Sequence, residues 1–289
     1  MKISFSKMHG LGNDYVYVNC LAQSIKDPEG FSKFASDRHF GIGSDGLILI
    51  LPSEVADFKM RMFNSDGSEG KMCGNGIRCV GKYVYEKGLT GSTVISVETL
   101  GGIKYLYLNV ENGKVVSVEV DMGKAIIKPC CIPVLSSAES FISQPLQICG
   151  KSYMVTCVSM GNPHCVVFCG DICNLDNLNI EKLGPEFENC SLFPEKINTE
   201  FVEIIDKNSI KMRVWERGSG ETFACGTGAC ASVVACVLNS FADYDQQITV
   251  KLKCGELYIT YKKDGTVFMK GTATHVFDGV IEYNFKEDN

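Results

Sequence analysis

Residues 59–76 read KMRMFNSDGSEGKMCGNG, and residues 211–228 read KMRVWERGSGETFACGTG. Aligned without a gap, the two windows share Lys, Met, Arg, Glu, Cys and two glycines. Each runs from an alternating, strand-like segment through a glycine-rich turn into Cys-Gly-x-Gly, and a helical pattern follows. Further out the correspondence continues. Gly12-Asn13-Asp14 precedes the first window and Gly161-Asn162-Pro163 the second, with Asn13 60 residues before Cys73 and Asn162 63 before Cys225. The same order at nearly the same spacing indicates duplication, so the 289 residues read as two copies of one domain.

The rest of the chain is dominated by β-branched, alternating segments at 57–63, 103–110, 114–120, 209–214 and 256–262. Asn112-Gly113 and Asp264-Gly265 each stand between two such runs, the pattern of a tight hairpin. Helical patterns are few: 31–40, 77–87 closed by Gly88, 229–239, and a weaker one at 175–187. Mostly antiparallel sheet with isolated helices is an α+β class. The stretch KPCCIP at 128–133 breaks the pattern and is a candidate domain crossing.

Charge and hydropathy narrow the functional classes. A formal net charge of −6 argues against nucleic acid or an anionic membrane as partner, since both call for a basic patch. No apolar run approaches the roughly 20 residues of a membrane-spanning helix, and residues 1–7, MKISFSK, lack the apolar core of a signal peptide. A soluble, cytoplasmic protein is expected.

Fifteen cysteines are the compositional outlier. An odd number in a chain of this length, without a secretion signal, does not suggest a disulfide framework. No Cys-x-x-Cys pair occurs; Cys165, Cys169 and Cys173 at intervals of four come nearest, and with four histidines no metal-ligand spacing emerges. Most of these thiols read as small apolar core residues. Cys73 and Cys225 differ, because each stands on a glycine turn just ahead of a helix. The unpaired N–H groups and positive dipole end of a helix N-terminus favour a thiolate, so lowered thiol pKa values are expected there. The N–H groups of Gly74, Asn75, Gly226 and Thr227 would form a cradle for a carboxylate, with glycine allowing the backbone to approach. Two matched thiols facing each other across a domain interface suit inversion of a carbon acid, which needs a base on one face and an acid on the other. The carbanion then requires aimed donors and exclusion of water. No lysine stands in a cofactor motif, and neither a cofactor nor a metal is expected.

Across nearly its whole length the chain resembles the diaminopimelate epimerase family. The resemblance is carried by Met8-His9-Gly10-Leu11-Gly12-Asn13-Asp14, residues 64–78, Gly161-Asn162-Pro163-His164, Asn198-Thr199-Glu200-Phe201, residues 216–228 and Thr274-His275-Val276-Phe277-Asp278-Gly279. It implies two pseudo-symmetric domains, each a curled antiparallel sheet around a central helix, with the last strand returning to the first domain: 1–125 with 272–289, and 126–271. It also implies cofactor-independent epimerisation of LL-2,6-diaminopimelate to the meso form, with Cys73 and Cys225 as acid and base. His164 and Glu216 would tune the thiols and help place the substrate amine. Asn13, Asn64, Asn162, Asn198 and Arg217 match positions that bind the non-reacting end, and Gly74, Asn75, Gly226 and Thr227 the carboxylate cradle. Arg217 suits a carboxylate, since a guanidinium grips one through two parallel bonds. The partner implied is a small amino acid, not nucleic acid or membrane.

The sequence departs from the family at two points. The turn GIGSDG at 41–46 ends in Gly46 where the family commonly has a substrate-contacting glutamine, which predicts spare room there and relaxed selectivity toward shorter dicarboxylic amino acids. Its Gly-x-Gly-x-x-Gly spelling is no nucleotide fingerprint, because a strand follows the glycines where a helix is needed. Phe277 replaces a tyrosine associated with dimer formation, leaving the oligomeric state open, with a homodimer as the candidate assembly. Two other readings stand beside epimerisation of diaminopimelate: a cofactor-independent racemase of glutamate, aspartate or proline, and a thiol redox protein cycling Cys73 and Cys225 through a disulfide.

Overall fold

A computed structural model describes residues 1–170 and 175–284; Cys173 and the last five residues lie outside the described residues. The chain divides into two compact units, Met1–Val120 with the segment from Gly271 onward, and Asp121–Lys270.

In the first unit, β1 (Lys2–Gly10) and β2 (Asn13–Asn19) form an antiparallel pair, and α1 (Pro28–Ser36) crosses to β3 (Gly46–Leu51), which lies parallel to β2. Then β4 (Phe58–Asn64) returns antiparallel to β3 and carries the short β5 (Glu69–Gly70). After α2 (Gly74–Glu86), β6 (Val94–Thr99) joins β4 in parallel, and β7 (Gly102–Glu111) and β8 (Lys114–Lys124) extend the sheet antiparallel. The unit boundary falls inside β8.

The second unit repeats this path strand for strand. Here β9 (Gln144–Ile148) flanks β10 (Lys151–Ser159), which pairs antiparallel with β11 (Pro163–Phe168). Helix α3 (Ile180–Glu188) crosses to the parallel strand β12 (Asn198–Asp206), followed by antiparallel β13 (Ser209–Glu216) with the short β14 (Gly220–Thr222). After α4 (Gly226–Leu238), β15 (Gln247–Leu252) joins β13 in parallel, and β16 (Gly255–Tyr261) and β17 (Thr266–Gly271) follow antiparallel. The expected α+β architecture of two similar units holds, with one refinement: each sheet contains two parallel steps, β2 to β3 and β4 to β6, or β11 to β12 and β13 to β15. The last strand, β18 (Thr274–Glu282), pairs antiparallel with β1, the place β9 takes beside β10. Asp278 on β18 fastens it by accepting from Ser6 of β1, from Lys87 after α2 (2.7 Å) and from His275 (2.9 Å).

The central strands of each unit, such as β3 and β11, are covered on both faces, which explains their near-continuous apolar runs, whereas outer strands such as β7 expose alternate residues. On β3, Leu47 and Leu49 join Phe31 and Ala35 of α1 in one cluster, whereas Ile48 meets α2 at Gly76. Successive strand residues face opposite ways, so one strand serves both layers. On β11 and β12, Cys165, Val167 and Phe201 pack with Phe187 of α3; Glu200 points to α4, where a Cβ on Gly228 would lie 2.6 Å from its Oε1. Helix α4 is enclosed, with eleven of its thirteen residues buried. A helix apolar all round can only be a core helix, and each buried valine contributes about 1.5–3 kcal/mol.

The central helices begin three residues earlier than their apolar pattern predicts, because Cys73 and Cys225 themselves are the N-caps. Similarly α1 starts at Pro28, where Asp27 accepts from the Gly30 N–H at 2.8 Å. Asn112 and Gly113 both take positive φ (50° and 74°) in the expected β7–β8 hairpin. The KPCCIP stretch forms a short 3₁₀ turn, Pro129–Cys131, inside the second unit.

Candidate functional site

In the first unit the thiol is placed by its own helix. Cys73 Sγ accepts from the Gly76 N–H at 3.3 Å and donates to Asn13 Oδ1 at 3.4 Å. The Asn75 N–H is also turned toward the sulfur, so this member of the expected carboxylate cradle serves the thiol. Asn13 is held from behind: its Nδ2 donates to Asp45 Oδ2 at 2.9 Å, and Arg38 bridges Asp14 and Asp45 with two contacts of 2.9 Å. The GIGSDG turn thereby acts through Asp45 on the orientation of Asn13. The Asn75 side chain donates to Asn13 Oδ1 (3.4 Å) and accepts from Arg78 Nη2 (2.8 Å). Asn64 is exposed at the end of β4 and donates to Ser68 Oγ at 2.9 Å.

Tyr15 and Arg78, neither expected from the sequence, complete this half. The buried Tyr15 hydroxyl bonds the thiol, and Arg78, wholly buried, donates to Gly74 O at 3.1 Å and Thr272 O at 3.2 Å. The Cys73 thiol is nonetheless raised above its ordinary pKa. Burial is the chief cause and outweighs the N–H groups, Tyr15 and the Arg78 charge, which all act the other way.

The second unit uses the same backbone and different side chains. Cys225 Sγ accepts from the Gly228 N–H at 3.3 Å and lies 3.5 Å from Thr227 Oγ1. Asn162 donates to that hydroxyl at 3.3 Å, and its Oδ1 stands 3.0 Å from His164 Nε2. His164 Nδ1 is 2.7 Å from Glu200 Oε1; both residues are fully buried. His164 thus reaches the thiol through Asn162 and Thr227. Glu216 accepts from Thr222 at 2.5 Å and hydrogen-bonds Cys225, and burial raises its carboxyl above the usual range. Asn198 donates to Pro163 O at 2.7 Å and accepts from the Arg217 backbone N–H at 2.9 Å. The exposed Arg217 side chain donates to Glu195 O at 2.8 Å. The Cys225 thiol is held well above its ordinary pKa, first by burial and then by the charges of Glu216 and Glu200.

These directions correct the expectation of lowered thiol pKa values. The helix N-terminus does contribute as expected, but removing a sulfur from water costs its charged form more. The strand register also corrects the reading of Gly46. A Cβ there would lie 2.1 Å from the Phe63 carbonyl oxygen and 2.8 Å from the Tyr15 ring, so the position holds no spare room. Phe277 is 45% exposed and meets Phe5 edge-on at 5.9 Å.

Register exposes the counterparts. Tyr15 pairs with Gly46, which pairs with Asn64; His164 pairs with Asn198, and Thr199 with Trp215, placing Glu216 opposite Asn198. The equivalent positions are therefore Tyr15 and His164, Gly46 and Asn198, Ile48 and Glu200, Asn64 and Glu216. By the gapless alignment Arg78 corresponds to Cys230.

The two units define a protein of duplicated α+β fold in which a cysteine caps each central helix. That fold is shared with a solved structure: the chain superimposes on the crystal structure of a probable proline racemase from Agrobacterium radiobacter K84 with a TM-score of 0.74, at 14% identity over 98% of this chain and 93% of that one. The family model for diaminopimelate epimerase matches residues 5–128 and 156–276. The diaminopimelate epimerase of Acetivibrio thermocellus is 57% identical over 281 residues, 97% of this chain and 99% of that protein. The one from Methanococcus maripaludis strain C5 is also 57% identical, over 97% of this chain and all of that protein. The chain belongs to the diaminopimelate epimerase family and is an isomerase. Among the described residues no helix is long and apolar enough to cross a membrane.

Proposed function

We propose that this protein interconverts LL- and meso-2,6-diaminopimelate by proton transfer at Cα between Cys73 and Cys225, without a cofactor, in lysine and peptidoglycan precursor synthesis. The observation that carries the reading is the repeated cap: in each unit a sulfur ends a β-strand-turn segment and accepts an N–H three residues on, at 3.3 Å in both. Inversion needs one base and one acid on opposite faces of one carbon. One thiol ionises and removes the Cα proton; the other returns a proton from the far side, and the roles exchange in reverse. The α-carboxylate is assigned to the first-turn N–H groups of Gly74, Gly226 and Thr227, where the helix dipole favours the developing negative charge. Glu216, whose carboxyl is raised by burial, and His164 support the Cys225 side. Asn13, Asn64, Asn162, Asn198 and Arg217 are assigned to the non-reacting end. A cytoplasmic location follows from the need for both thiols to stay reduced, and a homodimer is the assembly we assign.

The test is NMR of LL-diaminopimelate with the purified, metal-free protein in heavy water. Deuterium entering Cα together with the meso form supports the reading. Absence of exchange in folded, reduced protein overturns it.

A further inference from the structure

The second unit carries a hydrogen-bonded row from Glu200 through His164, Asn162 and Thr227 to Cys225, with successive contacts of 2.7, 3.0, 3.3 and 3.5 Å. The row is buried at Glu200, His164 and Cys225 and half-buried at Asn162 and Thr227, and the described residues of the first unit do not repeat it. Glu200 is its far end. A fully buried carboxylate costs several kcal/mol unless it is well partnered. Glu200 is poorly partnered, since Oε2 has no hydrogen-bond partner among the described residues and Oε1 is committed to His164. Packing does not explain the residue either. At the equivalent position of the first unit stands Ile48, which fills the same place against Gly76 that Glu200 fills against Gly228. The scaffold accepts an apolar side chain there. The carboxylate is kept for what it does to His164.

We propose that Glu200 is a positioning residue for Cys225: it accepts the Nδ1 proton of His164, fixes the ring's tautomer and orientation, and so presents Nε2 to Asn162. The orientation of the Asn162 amide then decides what Thr227 offers the thiol. With the Nδ1 proton held by Glu200, a second proton on Nε2 makes the ring an imidazolium: Asn162 then meets Nε2 with Oδ1 and gives Nδ2 to Thr227, the arrangement seen here, which leaves the Thr227 hydroxyl proton for the sulfur. When Nε2 is bare, the amide must turn, and Thr227 donates to Asn162 and accepts from the thiol instead. With neither ring nitrogen exposed to water, the Nδ1 bond is what keeps this row in register.

This deepens the epimerase reading, and only its turnover arm rests on that reading. The first arm needs no substrate: ¹⁵N NMR of the ring nitrogens in the unmodified protein, where four histidines make assignment direct. A proton on His164 Nδ1 throughout pH 6–9 is expected, and a bare Nδ1 overturns the proposal whatever the enzyme does. The second arm compares Glu200→Gln, which keeps an acceptor for Nδ1, with Glu200→Ile, which copies the first unit. The isoleucine variant is expected to lose the fixed Nδ1 proton and about 10²-fold in kcat for Cα exchange, with KM within about threefold; the glutamine variant is expected to keep the proton and stay within about fivefold of wild type. Wild-type turnover in a folded Glu200→Ile protein, or equal damage by both substitutions, overturns the proposal.

Discussion

Arg78 offers a sharp test of how the two thiols are made different. Its guanidinium is wholly buried and donates to Gly74 O, Thr272 O and Asn75 Oδ1 at 3.1, 3.2 and 2.8 Å. Arg78→Met keeps most of the volume and removes these charged donors, each worth about 1.5–3 kcal/mol, so about 4–9 kcal/mol of bonding is lost. Against that stands relief from burying a guanidinium, itself several kcal/mol. The net expectation is a loss of about 2–4 kcal/mol, read as a fall in Tm of about 5–12 °C. The second consequence is chemical. The Arg78 charge opposes the effect of burial on Cys73, so removing it pushes that thiol further up. If the loss amounts to about one pKa unit, iodoacetamide labels Cys73 about tenfold more slowly at pH 8. Cys225, with Cys230 at the position equivalent to Arg78, is expected to label at its former rate. Peptide mapping by mass spectrometry at 15 °C, where the variant is folded, separates the two sites. An unchanged Cys73 rate, or equal slowing at both sites, would refute the reasoning.

Three further outcomes are expected. Cys73→Ala and Cys225→Ala each abolish inversion; full epimerisation by either variant in a chiral amino-acid assay excludes the thiol pair. Because burial raises both thiols, the fraction of protein with one thiolate grows above neutrality, so kcat/KM rises from pH 7 to pH 9 and falls only when the second thiol ionises; a decline over pH 7–9 contradicts this sign. Gly46→Gln forces a Cβ to within 2.1 Å of Phe63 O in the β3–β4 ladder, so it lowers Tm by several degrees without sharpening the preference for diaminopimelate over L-glutamate; a selective, undisturbed variant restores the idea of a missing substrate contact.

The repeat was readable because duplication leaves identities where the backbone is constrained: the cysteine cap, its glycines, and the strand before them. Those positions cannot drift without losing the turn. The parallel steps were not readable. β3 spells an unbroken apolar run, GLILIL, which announces burial on both faces but names no partner. Only the crossing helix α1 implies that β2 and β3 run the same way. Helix starts were misplaced by three residues because a cysteine is an unusual cap and the apolar stripe begins one turn later.

What sequence could not supply was the sign of the electrostatics. The local rule, a thiol on a helix N-terminus, points down; the tertiary fact, withdrawal of the sulfur from water, points up and wins. Burial of Cys73 and Cys225 depends on strands distant in sequence, and so do the charges beside them. Arg78 reaches the first sulfur from its own helix, whereas Glu216 and Glu200 reach the second from β13 and β12. Each of these side chains occupies a position whose counterpart is neutral: Cys230, Asn64 and Ile48. The two units therefore share a scaffold and a nucleophile but not a charge environment, with a cation beside one thiol and two carboxylates beside the other. A pair that must hold one proton between two sulfurs benefits from that inequality, because identical sites would leave the resting protonation state undecided. Duplication supplied the matched geometry, and substitution at three register-equivalent positions supplied the difference.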